Sequence, residues 1–289
     1  MDIVIGKNSP AAIKVRRLGY GTMRLTGPQI WGEPADRPKA LQILKTAVNN
    51  GINFLDTADY YGKDVTNRLI RQALYPYPAD LIICTKVGGN RREDKSWFAY
   101  ASPQNLRDSV ENNLRTLGLE QLSLVHLRVI TPFEVPFEES LEAMFQLQKE
   151  GKILHVGLSN VSLEEVELAL RKGPIASVEN AYGFAQRRTF PGMGGITRGG
   201  EEVLGLCEKL EIPLIPFFSL LNSLPKQEPK IKEISRKYDA TEAQIYLAWL
   251  FAKSPYILPI PGTSSLSHLE ENIKSQSISL SREDMDYLG

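Results

Sequence analysis

The sequence has few cysteines, no long hydrophobic run and no excess of charge of either sign. Only two cysteines occur, Cys84 and Cys207, which is too few for the disulfide framework of a small secreted protein. Both lie in apolar patterns, so we interpret them as small hydrophobic side chains in a reducing compartment. No run of about 18 apolar residues is present, and no charged segment leads into an apolar one at the start of the sequence. These absences predict a cytoplasmic protein with no membrane-spanning segment.

Neither the charge balance nor any nucleotide-binding motif predicts a large partner such as nucleic acid. The 34 lysines and arginines balance 34 aspartates and glutamates, so no long-range field attracts nucleic acid or an anionic membrane. The sequence has neither a Gly-x-Gly-x-x-Gly after an early strand nor a Gly-Lys-Ser/Thr phosphate loop, and a bound nucleotide must therefore be held in another way. No coiled-coil pattern is evident. We expect a monomer whose partner is a small molecule.

What the sequence does contain is a regular alternation of short apolar runs and helix-like periodicity. Eight strand–helix units are predicted: 18–22 with 37–49, 52–56 with 65–74, 81–86 with 104–117, 122–128 with 137–149, 153–158 with 163–171, 175–180 with 201–210, 213–218 with 231–238 and 242–252, and 257–259 with 266–275. Eight units favour an α/β fold that closes into a (β/α)8 TIM barrel over an open doubly wound sheet, with residues 1–289 as a single domain.

Local signals support the repeat and add two features to it. Gly118 and Gly173 stand where helices should end, and Ser102 and Ser162 stand where they should begin. Residues 1–15 alternate apolar and polar positions and predict a β-hairpin outside the repeat. Residues 187–200, with five glycines, form the longest candidate mobile loop, either a lid or a plain loop.

The most informative stretch is 53–62, where an apolar strand leads into two acids and two tyrosines. Because the strand ends of a barrel share one mouth, Asp56, Tyr61 and Lys86 should meet there. A lysine ammonium near a phenol favours the phenolate and lowers its pKa, and an aspartate paired to the lysine holds it in place. Tyr61 then becomes a proton donor for a carbonyl that is turning into an alkoxide.

Each of these residues also has another reading. Asp56 could cap the following helix and Tyr61 could be a surface residue. Lys86 could be the Schiff-base lysine of an aldolase, although an adjacent carboxylate argues against this because it would keep the amine charged.

Four segments together resemble the aldo-keto reductases. They are FLDTADYYG at 54–62, TK at 85–86, GKILHVGLSN at 151–160 and PIPGTSSLSHLEEN at 259–272, and they follow the family's order over nearly the whole chain. The resemblance implies an eightfold barrel whose bottom is closed by a hairpin. It also implies an enzyme that reduces aldehydes or ketones with NADPH and without a metal.

The resemblance assigns site residues one by one. It implies that Tyr61 is the general acid, supported by Lys86 and Asp56. On the cofactor side it implies Gly21, Thr22 and Met23 at the first strand end, Ser159 and Asn160 at the nicotinamide carboxamide, Phe217 stacked on the nicotinamide ring, Thr263, Ser264 and Ser265 at the adenosine 2′-phosphate, and Glu271 and Asn272 at the adenine. Taken without the resemblance, Ser264 and Ser265 are more simply read as helix caps.

One departure from the family concerns the fourth strand. The family's catalytic histidine corresponds in spacing to Arg128 and not to His126. We expect Arg128 in the pocket because it lies nearer the mouth, while His126 could be a core histidine bonded to a neighbouring strand. An arginine there is permanently charged, so it could polarise a carbonyl or bind an anionic substrate but could not shuttle a proton.

Further departures concern the cofactor. Glu179 stands where the family has a glutamine at the carboxamide site, and a carboxylate can accept a hydrogen bond but cannot donate one. His268 stands where an arginine often clamps the 2′-phosphate, and Gly262 stands where some members have a lysine. NADPH remains the predicted cofactor, with NADH as the less expected alternative.

The substrate is not predicted beyond a small carbonyl compound. Trp31 and Trp97 are candidates for an aromatic rim, although aromatic residues also pack under loops. The changed residues at positions 128 and 179 leave a second hypothesis, a nucleotide-sensing or regulatory protein with the same fold and little reductase activity. Retention of Asp56, Tyr61 and Lys86 argues against it.

Overall fold

The computed structural model describes residues 2–192, 195–220 and 228–289. Its first elements are two antiparallel strands, β1 (Asp2–Ile5) and β2 (Ile13–Arg16), which form the predicted hairpin. A parallel sheet follows in the order β3 (Tyr20–Gly21), β4 (Phe54–Asp56), β5 (Ile82–Arg91), β7 (Leu122–Arg128), β8 (Ile153–Ser159) and β9 (Val178–Glu179), with β6 (Trp97–Tyr100) antiparallel to β5.

The sheet closes on itself through short backbone contacts. Leu214 bridges in parallel to Val178 on one side and to Ile257 on the other. The Gly19 N–H then donates to the Pro259 carbonyl at 2.9 Å, which joins the last strand position to the first. The predicted (β/α)8 barrel is therefore confirmed.

Helices cover the outside of the barrel. They are α1 (Arg37–Asn49), α2 (Val65–Leu74), α3 (Pro103–Leu117), α4 (Phe137–Lys149), α5 (Leu163–Lys172), α6 (Glu201–Leu210), α7 (Pro229–Lys237), α8 (Glu242–Lys253), α9 (Leu266–Lys274) and α10 (Arg282–Leu288). Within the described residues, no helix combines the length and the apolar character needed to cross a membrane.

Several helices begin and end where their sequence signals lie. Ser102 accepts a hydrogen bond from the Asn105 N–H at the start of α3, and Ser162 forms a reciprocal capping box with Glu165 at the start of α5. Gly118 ends α3 in the left-handed region, with φ of 70°, which glycine adopts without the steric cost that other residues meet.

The hairpin fills the bottom of the barrel. Ile3 and Ile5 alternate with exposed neighbours, so their side chains point the same way. They pack in one buried cluster with Phe54, Cys84 and Leu124, which line the lower interior of the barrel. The hairpin thus closes the end of the barrel opposite to the strands' carboxyl ends.

Some elements differ from the sequence prediction. Strand β5 continues to Arg91 and forms a hairpin with β6, and α10 was not predicted. The predicted strands 213–218 and 257–259 are reduced to isolated bridges. These segments contain Pro213, Pro216 and Pro259, and proline has no N–H to donate to a sheet ladder.

The glycine-rich segment 187–200 contains a second small hairpin. Strand β10 (Phe190–Gly192) pairs antiparallel with β11 (Gly195–Thr197), while residues 193 and 194 lie outside the described part. The Arg198 carbonyl accepts a hydrogen bond from the Ala181 N–H at 3.0 Å. The segment is therefore tied to the mouth of the barrel just after β9.

Candidate active site

A cavity opens at the carboxyl ends of the strands. Its polar lining comes from different strands or the loops that follow them, and includes Asp56, Tyr60, Tyr61, Arg128 and Glu179. Its apolar walls are formed by Trp97, Phe217, Phe218 and Ile260. The mixture of aromatic walls and a few converging polar groups is typical of a small-molecule site.

Lys86 and Asp56 form a buried ion pair beneath this cavity. Lys86 Nζ donates to Asp56 Oδ1 at 2.5 Å and to the Thr57 carbonyl at 3.1 Å. Its side chain is 1% exposed and that of Asp56 is 4% exposed. Because β4 and β5 are parallel neighbours, with Asp56 opposite Cys84, a lysine two residues further along β5 faces the same interior.

A second carboxylate shares the same ammonium group. Glu179 Oε1 lies 3.4 Å from Lys86 Nζ, and its Oε2 lies 3.0 Å from His126 Nδ1. The contact with Lys86 is an ion pair by distance, and the contact with His126 is one only when the imidazole is protonated. Neither oxygen of Glu179 has a partner of hydrogen-bonding geometry among the described residues. Asp56 and Glu179 therefore compete for the Lys86 ammonium group, and the oxygens of Glu179 remain able to accept hydrogen bonds.

The competition shifts the pKa values of all three groups. Burial, followed by the Glu179 charge, raises the pKa of Asp56 to about 7, although Lys86 opposes the rise. For Glu179 burial also acts upward, but Lys86 and His126 outweigh it and lower the pKa. Burial lowers the pKa of Lys86, yet the two carboxylates outweigh it and hold the pKa well above its usual value. A permanently charged Lys86 is unsuited to be a Schiff-base nucleophile.

Tyr61 lies directly above the ammonium group. Lys86 Nζ is 5.2 Å from the centroid of its ring, and the side chain is 7% exposed. The sequence argument expected Lys86 to lower the pKa of this phenol; Lys86 does act in that direction, but the net shift of the pKa is upward. Burial is the largest influence and raises the pKa of Tyr61 to about 12, while Lys86 and Arg128 only reduce the rise. The phenol is therefore protonated over the working pH range and can donate a proton.

Arg128 and His126 lie on the same strand at different depths. Arg128 is half-buried, lines the cavity and donates to Ser159 Oγ at 3.3 Å. His126 is completely buried, and its Nε2 lies 2.8 Å from Ser177 Oγ. The structure therefore brings the arginine, and not the histidine, to the mouth, and His126 packs in the interior as a bonded core histidine.

The residues expected at the nicotinamide ring and its carboxamide are not equally free to bind them. Phe217 lines the cavity with the Arg128 guanidinium 5.2 Å from its ring centroid. Ser159 is buried beside it and accepts the Arg128 bond. The Asn160 amide is already occupied, since it donates to two backbone carbonyls and accepts from the Arg198 N–H at 2.7 Å. Its side chain holds the loop after β9 in place.

The segment before α9 contains polar residues that are already hydrogen-bonded and others that are exposed. Ser265 caps α9 and accepts from the His268 N–H, and Thr263 Oγ1 accepts from the Ser265 N–H at 3.0 Å. Ser264 and His268 are exposed, whereas Glu271 is half-buried and Asn272 is buried in the helix. Two of the predicted phosphate ligands, Thr263 and Ser265, are therefore engaged in the local turn.

Close backbone approach marks the turn between the first and last strands. A β-carbon at Gly21 would lie 2.7 Å from the Ile260 carbonyl oxygen, and one at Gly262 would lie 2.5 Å from the Gly21 carbonyl oxygen. Arg24 lies against the same turn, with its Cγ 3.7 Å from the β-carbon position of Gly262. Arg24 also lines a second cavity beside the first, together with Met23 and Ser264. Thr22 is buried and donates to the Asp56 carbonyl at 2.9 Å.

The two tryptophans expected at the rim are separated. Trp97 lines the cavity, and Tyr60 packs edge-on against it with ring centroids 5.4 Å apart. Trp31 does not reach the cavity and instead packs beside Lys63, whose Nζ is 4.7 Å from its ring. Sequence reasoning missed Tyr60 and Arg24, although each directly adjoins a residue that it did select.

Comparison with known proteins adds an independent line of support. Residues 17–289 match the family model described as the aldo/keto reductase family. Pyridoxine 4-dehydrogenase of Escherichia coli (strain K12) is 41% identical over 279 residues, which cover 95% of this chain and 94% of that protein. An uncharacterized oxidoreductase of Schizosaccharomyces pombe is 39% identical over 270 residues, covering 93% and 84% of the two chains. The crystal structure of a thermostable aldo-keto reductase in complex with the inhibitor epalrestat superposes with a TM-score of 0.83 at 29% identity, covering 100% and 98% of the chains.

Proposed function

This chain belongs to the aldo/keto reductase family and is an NAD(P)H-dependent oxidoreductase, and we propose that it reduces aromatic aldehydes with NADPH while Tyr61 donates the proton. The observation that carries the proposal is the arrangement of Tyr61 above the buried Lys86–Asp56 pair, inside an aromatic cavity. A reductase must supply a proton to an oxygen that gains negative charge, and a neutral phenol beside a fixed ammonium suits that task.

The substrate class is proposed from a relative and from the lining of the cavity. The relative with 41% identity is named for oxidising pyridoxine at its 4-position, and the reverse reaction reduces a pyridine-4-carbaldehyde. The cavity has Trp97 and Phe217 as walls and Arg128 as a charged group. Flat aromatic rings pack well between aromatic side chains. We therefore propose the 4-aldehyde of pyridoxine, or a closely similar aromatic aldehyde, as the substrate.

The residues present fit a nicotinamide cofactor. Glu179 has two buried oxygens without a hydrogen-bonding partner among the described residues, so it is able to accept from a carboxamide N–H. Gly21 and Gly262 let the turns after the first and last strands approach each other closely, since a β-carbon at either position would collide with the facing backbone. Arg24 and Ser264 line the adjoining cavity and are suited to bind phosphate groups. NADPH supplies the hydride when it is bound.

The chain's own groups perform the remaining steps. Tyr61 donates its proton to the carbonyl oxygen, and the Lys86 ammonium stabilises the phenolate that is left. Asp56 keeps Lys86 in place through the 2.5 Å hydrogen bond. Arg128 takes the position expected for a histidine and polarises the carbonyl by its permanent charge. Positioned proton transfer of this kind contributes about 100-fold to 10,000-fold in rate.

The test is to replace Tyr61 by phenylalanine. We expect Tyr61→Phe to bind NADPH as the wild type does, followed by protein fluorescence, and to lose about 100-fold or more in turnover of pyridine-4-carbaldehyde. Tyr75→Phe is the control, because Tyr75 is 58% exposed and lies outside the cavity. Unchanged turnover in Tyr61→Phe would refute the proton-donor role. Tight NADPH binding by the wild type without turnover of any aldehyde in a broad panel would favour the regulatory hypothesis.

A further inference from the structure

Tyr60 has a buried hydroxyl group that the mechanism does not use. The side chain is 3% exposed, and its hydroxyl has no hydrogen-bond partner in the part of the chain that the structure describes. Leaving a buried hydroxyl without a hydrogen bond destabilises the folded protein. A phenylalanine would fill the same space without that cost, so the hydroxyl needs an explanation.

The position of Tyr60 suggests that the missing partner is a ligand. Its ring lines the cavity and contacts Tyr61 edge-on, with ring centroids 5.3 Å apart. Burial and the neighbouring Tyr61 raise the pKa of the Tyr60 phenol, while Arg128 and Lys86 act to lower it. The phenol therefore lies close enough to Lys86 and Arg128 to be affected by their charges. It remains a neutral donor next to the proton donor of the reaction.

Arg128 provides a positive charge at the same place. Its guanidinium donates only to the neutral Ser159 Oγ at 3.3 Å and lies 5.2 Å from the Phe217 ring centroid. No ion pair joins it to a carboxylate of the residues for which coordinates are described. The Arg128 charge acts on Asp56 and Glu179 from a distance, but no carboxylate is hydrogen-bonded to it among the described residues, so its N–H groups can bind an anionic ligand atom through charge-assisted hydrogen bonds.

We propose that Tyr60 and Arg128 together bind an ionised hydroxyl group on the ring carbon adjacent to the one that carries the substrate's aldehyde group. This inference rests on the proposed function, in which Tyr61 binds the carbonyl oxygen. Tyr60 and Tyr61 are consecutive residues that both line the cavity, and in this arrangement their hydroxyls bind neighbouring oxygen atoms of one ligand. The Tyr60 hydroxyl donates to the ring oxygen, and Arg128, whose charge also polarises the neighbouring carbonyl, neutralises it. The site therefore selects ortho-hydroxylated aromatic aldehydes.

A matched pair of aldehydes tests this selection. The compounds are 3-hydroxypyridine-4-carbaldehyde and pyridine-4-carbaldehyde, which differ only in the hydroxyl group. The readout is the ratio of their kcat/KM values with NADPH, compared between the wild type and Tyr60→Phe. Comparing the ratios cancels differences in hydration and intrinsic reactivity of the two aldehydes. We expect the ratio to fall about tenfold or more in Tyr60→Phe, since a site built to bind a substrate hydroxyl discriminates by at least that factor.

Tyr75→Phe is again the control, and its ratio should equal that of the wild type because Tyr75 is outside the cavity. An unchanged ratio in Tyr60→Phe overturns the inference. If that variant does not fold, inhibition of the wild-type holoenzyme decides: 3-hydroxypyridine should inhibit at least tenfold better than pyridine, and equal inhibition overturns the inference. Failure of the wild type to reduce either aldehyde would instead refute the proposed function, and the inference with it.

Discussion

At the scale of single residues, Lys86 determines the charge state of the site. It is 1% exposed and has two carboxylates within ion-pair distance, Asp56 at 2.5 Å and Glu179 at 3.4 Å. One ammonium group cannot fully stabilise two carboxylates, so the ionised form of one is favoured and that of the other is disfavoured. The pKa of Glu179 is lowered and that of Asp56 is raised to about 7. A family glutamine at position 179 would remove this competition.

We predict that Glu179→Gln moves the acid limb of the activity profile. Asp56 must be ionised to hold Lys86, so kcat/KM should fall as the pH drops through about 7, the pKa of Asp56. Removing the Glu179 charge lowers that pKa, and the limb should shift to lower pH by about one unit. The measurement is kcat/KM against pH with saturating NADPH.

The control for this shift is Glu283→Gln, an exposed residue of α10, which should leave the profile in place. A limb that stays at the wild-type pH in Glu179→Gln would show that Glu179 does not set the pKa of Asp56. A shift to higher pH would show that the Glu179 charge lowers the pKa of Asp56 and does not raise it.

At the scale of secondary-structure elements, the barrel separates stability from chemistry by depth along its strands. Phe54, Cys84 and Leu124 belong to the lower, apolar cluster. Two residues further along the same strands lie Asp56, Lys86 and His126. Side chains two positions apart share one face of a strand. An apolar layer therefore supports a charged layer, and the N-terminal hairpin closes the apolar end.

We predict that a cavity under the barrel weakens folding without altering catalysis. Ile5 is fully buried on β1, so Ile5→Ala should lower the free energy of unfolding by about 2–5 kcal/mol. Because the hairpin lies at the end opposite to the active site, kcat/KM of the folded enzyme should stay the same. Denaturant unfolding and steady-state kinetics provide the two measurements.

Val4→Ala on the same strand is the matched control, since Val4 is 38% exposed. It should change the stability by less than about 0.5 kcal/mol. Equal losses in the two variants would contradict the placement of the hairpin, and a loss of kcat/KM in Ile5→Ala would contradict the separation of the two ends.

At the scale of the whole molecule, closure of the barrel assembles a site from distant parts of the chain. Tyr61, Arg128, Phe217 and Gly262 follow different strands and meet at one cavity. The turn at Gly21 and Gly262 lies where the first and last strands join, so a cofactor bound there, as we propose, would connect the two ends of the barrel. A ligand that binds only the folded state stabilises it by mass action.

We predict that NADPH stabilises the protein more than NADH does at equal concentration. At about 100 times its Kd, NADPH should add about 2.7 kcal/mol and raise Tm accordingly. Arg24 and Ser264 are available for the additional phosphate, which is the reason for the difference. Thermal unfolding followed by fluorescence measures both shifts, with adenosine 2′-phosphate and adenosine 5′-phosphate as a second matched pair. Equal Tm shifts for NADPH and NADH would contradict the expected preference.

The helices could be predicted well because their signals are local. The bounds predicted for α1, α2, α4 and α6 agree with the structure, and Ser162 caps α5 as its spacing suggests. The strands near Pro213 and Pro259 could not be predicted in length, since each depends on ladder partners from elsewhere in the chain. The hairpin of β5 with β6 was missed because its connection, residues 92–96, contains no glycine and so carries no strong turn signal.

The site residues also differ in whether local sequence or distant contacts determine their position. Asp56, Tyr61 and Lys86 could be chosen from strand ends alone, and the structure brings them together. Asn160 could not be judged from the sequence, because its hydrogen-bonding partners at Val129, Ile196 and Arg198 come from other loops. The roles of all these residues stay predictions that the proposed kinetics will test.

The sequence by itself determined the eightfold repeat, the family and the chemical types of the proposed catalytic groups, because periodicity, capping residues and short motifs are encoded in neighbouring positions. Only the tertiary structure decided which groups are buried together. It reversed the expected direction of the pKa of Tyr61, placed Arg128 at the mouth and His126 in the core, and left the Tyr60 hydroxyl unpartnered among the described residues. Desolvation and the distances between charges depend on every strand that surrounds a group, and the packing of those strands exists only in the folded barrel.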